Sequence, residues 1–127
     1  MAFQERIQTA GPTTYRLILF VSSPLQVRAG GLGVIRLPAG WYVYTGSARR
    51  NMEPRIARHL RRDKRRRWHI DYLTGHPGVV AVSVTRHEEP ECVVNRRQGG
   101  QVVVPGFGAA DCRNRCGSHL RYLGRAL

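Results

Sequence analysis

Trp41-Tyr42-Val43-Tyr44-Thr45-Gly46-Ser47-Ala48 leads, after two arginines, into Asn51-Met52-Glu53-Pro54-Arg55-Ile56-Ala57-Arg58-His59-Leu60. The first block is aromatic and β-branched and reads as a strand over Trp41–Thr45, ended by Gly46-Ser47. The second reads as a helix over roughly Met52–Arg62, with Asn51 as its cap. Pro54 lies in the first turn, where a missing N–H costs little. Ile56, Ala57 and Leu60 give the helix an apolar stripe. Arg55, Arg58, His59 and Arg62 fall at i, i+3, i+4 and i+7 and share another face. A strand that carries two tyrosines into a glycine turn, and then an arginine-bearing helix, is the unit around which the rest is arranged.

Working outward, Tyr15–Val21 reads as an upstream strand. Leu25–Ala29 and Gly33–Leu37 read as a hairpin around Gly30-Gly31. Downstream, Trp68–Leu73 is expected to be a short helix. Val79–Arg86 is a nearly continuous apolar run that predicts a strand in a central position. Glu88–Gln98 reads as a third helix, with Pro90 in its first turn and Gly99-Gly100 as its stop. Val102–Val104 suggests a short strand, Pro105–Ser118 a loop and His119–Leu123 the closing segment. The order predicts one domain over residues 1–127, of α/β (α+β) class, with a small, mostly antiparallel central sheet and flanking helices. Residues 1–12 are a loose lead-in, and residues 105–127 form a tail containing cysteine and histidine.

With 42% apolar residues and no uncharged apolar run near 20 residues, the 127-residue chain reads neither as disordered nor as membrane-spanning. Its charge is unusual: 21 Lys and Arg against 8 Asp and Glu, a net of +13, with Lys64 the only lysine. Residues 49–67 hold ten of the cations against Glu53 and Asp63. A GC-rich genome would favour arginine over lysine, but it would not cluster the charges. Phosphates relieve such repulsion and release counterions on binding, so the expected partner is nucleic acid, most simply DNA. A membrane surface fits less well, because the apolar face is small.

Tyr44-Thr45-Gly46, with Arg55 eleven residues after Tyr44, His59 four further on, His69 and then Glu91, resembles the GIY-YIG nuclease superfamily. The closest likeness is to its Uri-like branch of standalone or endonuclease III-fused domains. That branch is matched in order by Tyr42 to Ala48, Arg55 to His59, Trp68 to Leu73, Glu91-Cys92 and Gly106 to Leu120. The first half-motif departs from the pattern: Thr13-Thr14-Tyr15 keeps only the tyrosine of Gly-x-Tyr. The hairpin around Gly30-Gly31 is the extra length that the branch carries between its half-motifs.

The resemblance implies a metal-dependent endonuclease acting on DNA phosphodiesters, in repair or processing. Glu91 would hold Mg²⁺ or Mn²⁺, since a hard cation prefers carboxylate oxygen. Arg55 would neutralise non-bridging phosphate oxygens with its planar fork. Tyr15 or Tyr44 would position or deprotonate water, with His69 as the rival base. His59 would orient a partner or contact phosphate. Arg49, Arg50, Arg58, Arg62, Arg65, Arg66 and Arg67 are the expected backbone-binding set, and Asp71 is assigned to structure, pairing with an arginine or capping locally. The rival is a non-catalytic nucleic-acid-binding module, or an accessory to a separate repair enzyme, on the same fold.

Cys92, Cys112, Cys116 and His119 could supply a structural Zn²⁺ site, but the x₃ and x₂ spacings are unusual for zinc. Buried reduced thiols are the favoured expectation. Three cysteines without a secretory signal argue for a reducing compartment, hence a cytoplasmic protein, nucleoid-associated in a prokaryote.

Overall fold

The computed structural model describes residues 11–109, 112 and 114–126. Most of the expected lead-in and the Asp111 of the tail therefore lie outside the described residues. The chain runs β1 (Thr14–Val21), β2 (Leu25–Arg28), a 3₁₀ turn (Gly30–Leu32), β3 (Val34–Leu37) and β4 (Gly40–Ser47). It continues with α1 (Met52–Leu60), α2 (Asp71–Thr74), β5 (Val79–His87), α3 (Glu91–Gln98) and β6 (Leu120–Gly124). Strands β5-β1-β4-β6 make an antiparallel four-stranded sheet, and β2-β3 form a separate hairpin. The expected mixed α and β architecture, with a mostly antiparallel sheet, is the one observed.

Strand β1 is half-buried by alternation. Tyr15, Leu17, Leu19 and Val21 fill the core, while Arg16, Ile18 and Phe20 face the other way. Its register with β4 sets Tyr15 opposite Gly46 and Leu17 opposite Tyr44. Residues two apart on a strand share a face, so this pairing puts both tyrosines on the same side of the sheet, at one end. On the opposite side Phe20 and its partner Trp41 stack with ring centroids 4.8 Å apart.

Several expectations are corrected. Strand β5 is an edge strand, not a central one: Val80 and Val82 are 49% and 50% exposed. Valine suits any pleated surface, so an apolar run does not by itself distinguish a two-sided burial from a one-sided one. Val102–Val104 forms no strand; only Gln101 bridges to Tyr122. Helix α1 stops at Leu60, where Arg61 turns extended. Asn51 occupies the N-cap position in a left-handed conformation and makes no capping bond through its side chain. The buried stripe of α1 is Ile56 and His59, whereas Ala57 and Leu60 face solvent.

The C-terminus of α1 is tied down by Lys64. Its ammonium donates to the carbonyl oxygens of Arg58 (3.1 Å) and His59 (2.7 Å) and to Thr74 Oγ1 (2.6 Å). A cation at this end also complements the helix dipole.

Candidate functional site

A cleft of about 610 Å³ opens at the end of the sheet where the two tyrosines lie. Tyr15 of β1, Tyr44 of β4, Arg55 of α1, His69 before α2 and Glu91 at the start of α3 all line it. Arg67, Trp68, Cys92, Cys112 and His119 complete much of its wall. Of the six residues assigned chemistry in the sequence, five reach the cleft surface. The sixth, His59, is 1% exposed and lies behind Tyr15.

Two glycines make room for the phenols. A Cβ at Gly46 would come within 2.5 Å of the Tyr15 ring and hydroxyl, so the glycine of the Tyr-x-Gly block is a steric requirement. Gly108 has φ +65° and would place a Cβ 2.9 Å from Tyr44. The backbone of the altered first half-motif does not call for glycine: among the described residues, neither Thr13 nor Thr14 has a positive φ. Thr14 Oγ1 donates to the Glu89 carbonyl at 2.6 Å, tying β1 to the loop that starts α3.

The Tyr15 hydroxyl and His59 Nε2 are 2.6 Å apart. Burial pushes the Tyr15 phenol well above its usual range, with Arg55 pulling the other way. Tyr44 is raised chiefly by burial too. Burial, helped by Lys64, lowers His59 to about 4, so its imidazole is neutral at neutral pH. His69 is also lowered by burial, and its Nδ1 accepts the Gly108 N–H at 2.9 Å. A neutral ring accepting at Nδ1 carries its proton on Nε2, which makes His69 a donor toward any further partner.

Arg55 is held by a hydrogen bond to the Ser47 carbonyl (3.1 Å) and by the Trp68 ring, 5.2 Å from its guanidinium carbon. Arg58 and Arg67 flank the same ring at 4.5 and 5.6 Å. Trp68 is thus an aromatic platform for three cations. In the sequence the signal for this platform is a tryptophan next to His69 and beside an arginine run.

The basic set divides in two. Arg49, Arg50 and Arg65 are exposed, and Arg67 faces the cleft. Arg58 instead forms a two-pronged pair with Asp71, 2.9 Å at each prong. Asp71 is 0% exposed and also accepts the N–H groups of Arg67 and Trp68, which fulfils its expected structural role. Burial works against its charge, but these donors outweigh it and hold the carboxyl below its usual range. Arg62 bonds the carbonyls of His76 and Val79, and Arg66 that of Lys64. These three guanidiniums brace the loop between α1 and β5.

Glu91 Oε2 lies 2.9 Å from His119 Nδ1. Beyond that ring, the ligand atoms of Cys92, Cys112, Cys116 and His119 all fall within 4.8 Å of one another. The four zinc candidates named in the sequence thus form a Cys₃His cluster that could hold a metal ion. Cys92 reaches this cluster from helix α3, and the other three come from the tail.

The site sits on a known family. The chain belongs to the family described as a domain of unknown function, DUF123, which matches residues 14–126. Neither a search of curated proteins nor one of solved structures returned a match. Among the described residues no helix is long and apolar enough to cross a membrane.

Proposed function

We propose that this chain is a metal-dependent endonuclease that hydrolyses DNA phosphodiester bonds in the cleft, in DNA repair or processing. The observation that carries the reading is the meeting of Tyr15, Tyr44, Arg55, His69 and Glu91, from five separated positions, in one cleft. It agrees with the resemblance to GIY-YIG nucleases. A cytoplasmic setting, on the nucleoid in a prokaryote, suits three free cysteines.

Each side chain then has a task in this reading. Arg55, braced on Trp68 and Ser47, offers its fork to the non-bridging oxygens and neutralises charge as it develops. Tyr15 takes a proton from the attacking water while its own proton passes to His59 Nε2, whose lone pair burial keeps available. The Nε2–H of His69 hydrogen-bonds the departing oxygen, which takes its proton from solvent. Glu91 has one oxygen engaged by His119 and the other left for Mg²⁺ or Mn²⁺; a cation bound there would polarise the phosphate and supply acidified water. Tyr44 walls the cleft beside Tyr15, their ring centroids 6.5 Å apart. Exposed Arg49, Arg50 and Arg65 hold the DNA backbone without regard to sequence.

One observation favours a second reading, a non-catalytic nucleic-acid-binding or repair-accessory module: Glu91 already has a partner in His119. Incubation with supercoiled, single-stranded and branched DNA in Mg²⁺ or Mn²⁺ decides. Cleavage by the wild type that is lost in Tyr15→Phe is the expected result. Tight, salt-sensitive binding with no cleavage of any of these substrates would establish the second reading.

A further inference from the structure

Three thiols and an imidazole converge beside the cleft from two distant parts of the chain. Cys92 is the second residue of α3, Cys112 and Cys116 lie in the loop after Pro105, and His119 immediately precedes β6. Cys92 Sγ is 3.6 Å from Cys112 Sγ and 4.0 Å from His119 Nε2. A tetrahedral ion with zinc-like bond lengths has sulfur–sulfur edges of about 3.8 Å and sulfur–nitrogen edges of about 3.6 Å. The side chains are thus already spaced near the corners of such a polyhedron.

The donor set narrows the ion. Thiolates with one imidazole select a soft or borderline cation, and Mg²⁺ and Ca²⁺ prefer oxygen. Four protein ligands also fill a tetrahedron and leave no open position for substrate or water, which is the pattern of a structural rather than a catalytic centre.

A second observation points the same way. His119 directs Nε2 at the sulfurs because its Nδ1 is engaged by Glu91 Oε2 at 2.9 Å. A carboxylate on the far nitrogen is the usual orienting partner of a metal-bound histidine. The backbone of His119 is fixed as well: its N–H donates to the Phe107 carbonyl at 2.8 Å, and its carbonyl accepts the Thr45 N–H at 3.0 Å. The imidazole is therefore anchored to β4, next to Tyr44, before any ion arrives.

We propose that Cys92, Cys112, Cys116 and His119 bind one Zn²⁺ as a closed structural centre, with Glu91 as the positioning residue that aims His119 at it. The ion would staple α3 and the cysteine-bearing loop to β4, fixing the wall of the cleft opposite Arg55. This inference stands on the ligand geometry and not on nuclease activity, so either reading can fail without the other.

The test is metal content and spectroscopy on the full chain purified without chelator. Elemental analysis should give one zinc per chain. Replacement with Co²⁺ should produce the thiolate-to-cobalt charge-transfer absorption and visible bands of a tetrahedral sulfur-rich site. Cys112→Ser should weaken cobalt binding and diminish the charge-transfer band. Glu91→Gln should keep the tetrahedral spectrum and lower zinc affinity by roughly 10- to 100-fold in a competition titration with a chromophoric chelator. A zinc-to-protein ratio near zero together with no cobalt spectrum in the wild type would overturn the centre, as would a Cys92–Cys112 disulfide found by thiol titration. Iron in place of zinc would overturn the assigned ion. Wild-type zinc affinity in Glu91→Gln would remove its positioning role. Because the decisive readings are made on the wild type, a variant that failed to fold would not protect the proposal.

Discussion

The hydroxyl of Tyr15, on the cleft wall, and Nε2 of His59, buried behind it, lie 2.6 Å apart. The pair joins β1 to α1 by a side-chain hydrogen bond. Replacing the phenol with Phe removes that contact and the proposed proton carrier while keeping the ring. Tyr15→Phe is expected to lower cleavage by at least about 100-fold, the usual scale for a lost general base. Its unfolding free energy should fall by only about 1–2 kcal/mol. Plasmid nicking and urea titration of the same preparation check both; retained nicking would exclude Tyr15 as the base.

His59 makes stability depend on pH. Its native pKa is about 4, against about 6.5 in an unfolded chain. The unfolded state therefore binds more protons between those values, and stability falls as pH drops from about 6.5 towards 4. The loss approaches about 3 kcal/mol once both limits are passed. Urea midpoints should show this slope in the wild type and a shallower one in His59→Gln. Parallel slopes would assign the acid sensitivity elsewhere.

Arg58 is expected to matter for folding more than for DNA. Arg58→Gln leaves the fully buried Asp71 carboxylate without its guanidinium, and losing one member of a buried pair costs roughly 3–5 kcal/mol. For a domain of this size that is a drop of roughly 10–20 °C in the thermal midpoint. Scanning calorimetry measures it. An unchanged midpoint would show the pair to be expendable.

Binding and chemistry should separate along the arginines. The exposed pair Arg49 and Arg50 would each neutralise about one phosphate, so the double alanine variant should flatten the log affinity against log salt slope by about 2. Arg55→Ala should change that slope by about 1 and abolish cleavage. Fluorescence anisotropy across a salt series, beside a nicking assay, distinguishes these outcomes. Equal effects of both variants on cleavage would dissolve the distinction.

Periodicity and turn chemistry made the strands legible, because alternation along β1 and the Tyr-x-Gly block of β4 are strong local signals. The sheet order was less so. Nothing local to Val79–His87 says that one of its edges is unpaired. The resemblance to GIY-YIG nucleases nominated Tyr15, Tyr44, Arg55, His69 and Glu91 together, and the fold brings those five to one cleft. The roles of Arg58, Arg62 and Arg66 were hidden, since a helix face records only which residues are neighbours. Their acceptors, Asp71 and the carbonyls of Lys64, His76 and Val79, are fixed by the path of the following loop. All four members of the Cys₃His cluster were nameable in the sequence, but that Cys92 meets the other three depends on where helix α3 packs, which no local spacing records.

Lys64 ends the matter of charge differently from the arginines. Its three acceptors surround a tetrahedral ammonium, a shape that a flat guanidinium does not reproduce. Because it is also the only lysine in the chain, the protein carries a single amine side chain, located at the knot between helix α1 and the loop behind the cleft. Amine-reactive labelling of that one side chain would follow the loosening of this knot without any substitution in the chain.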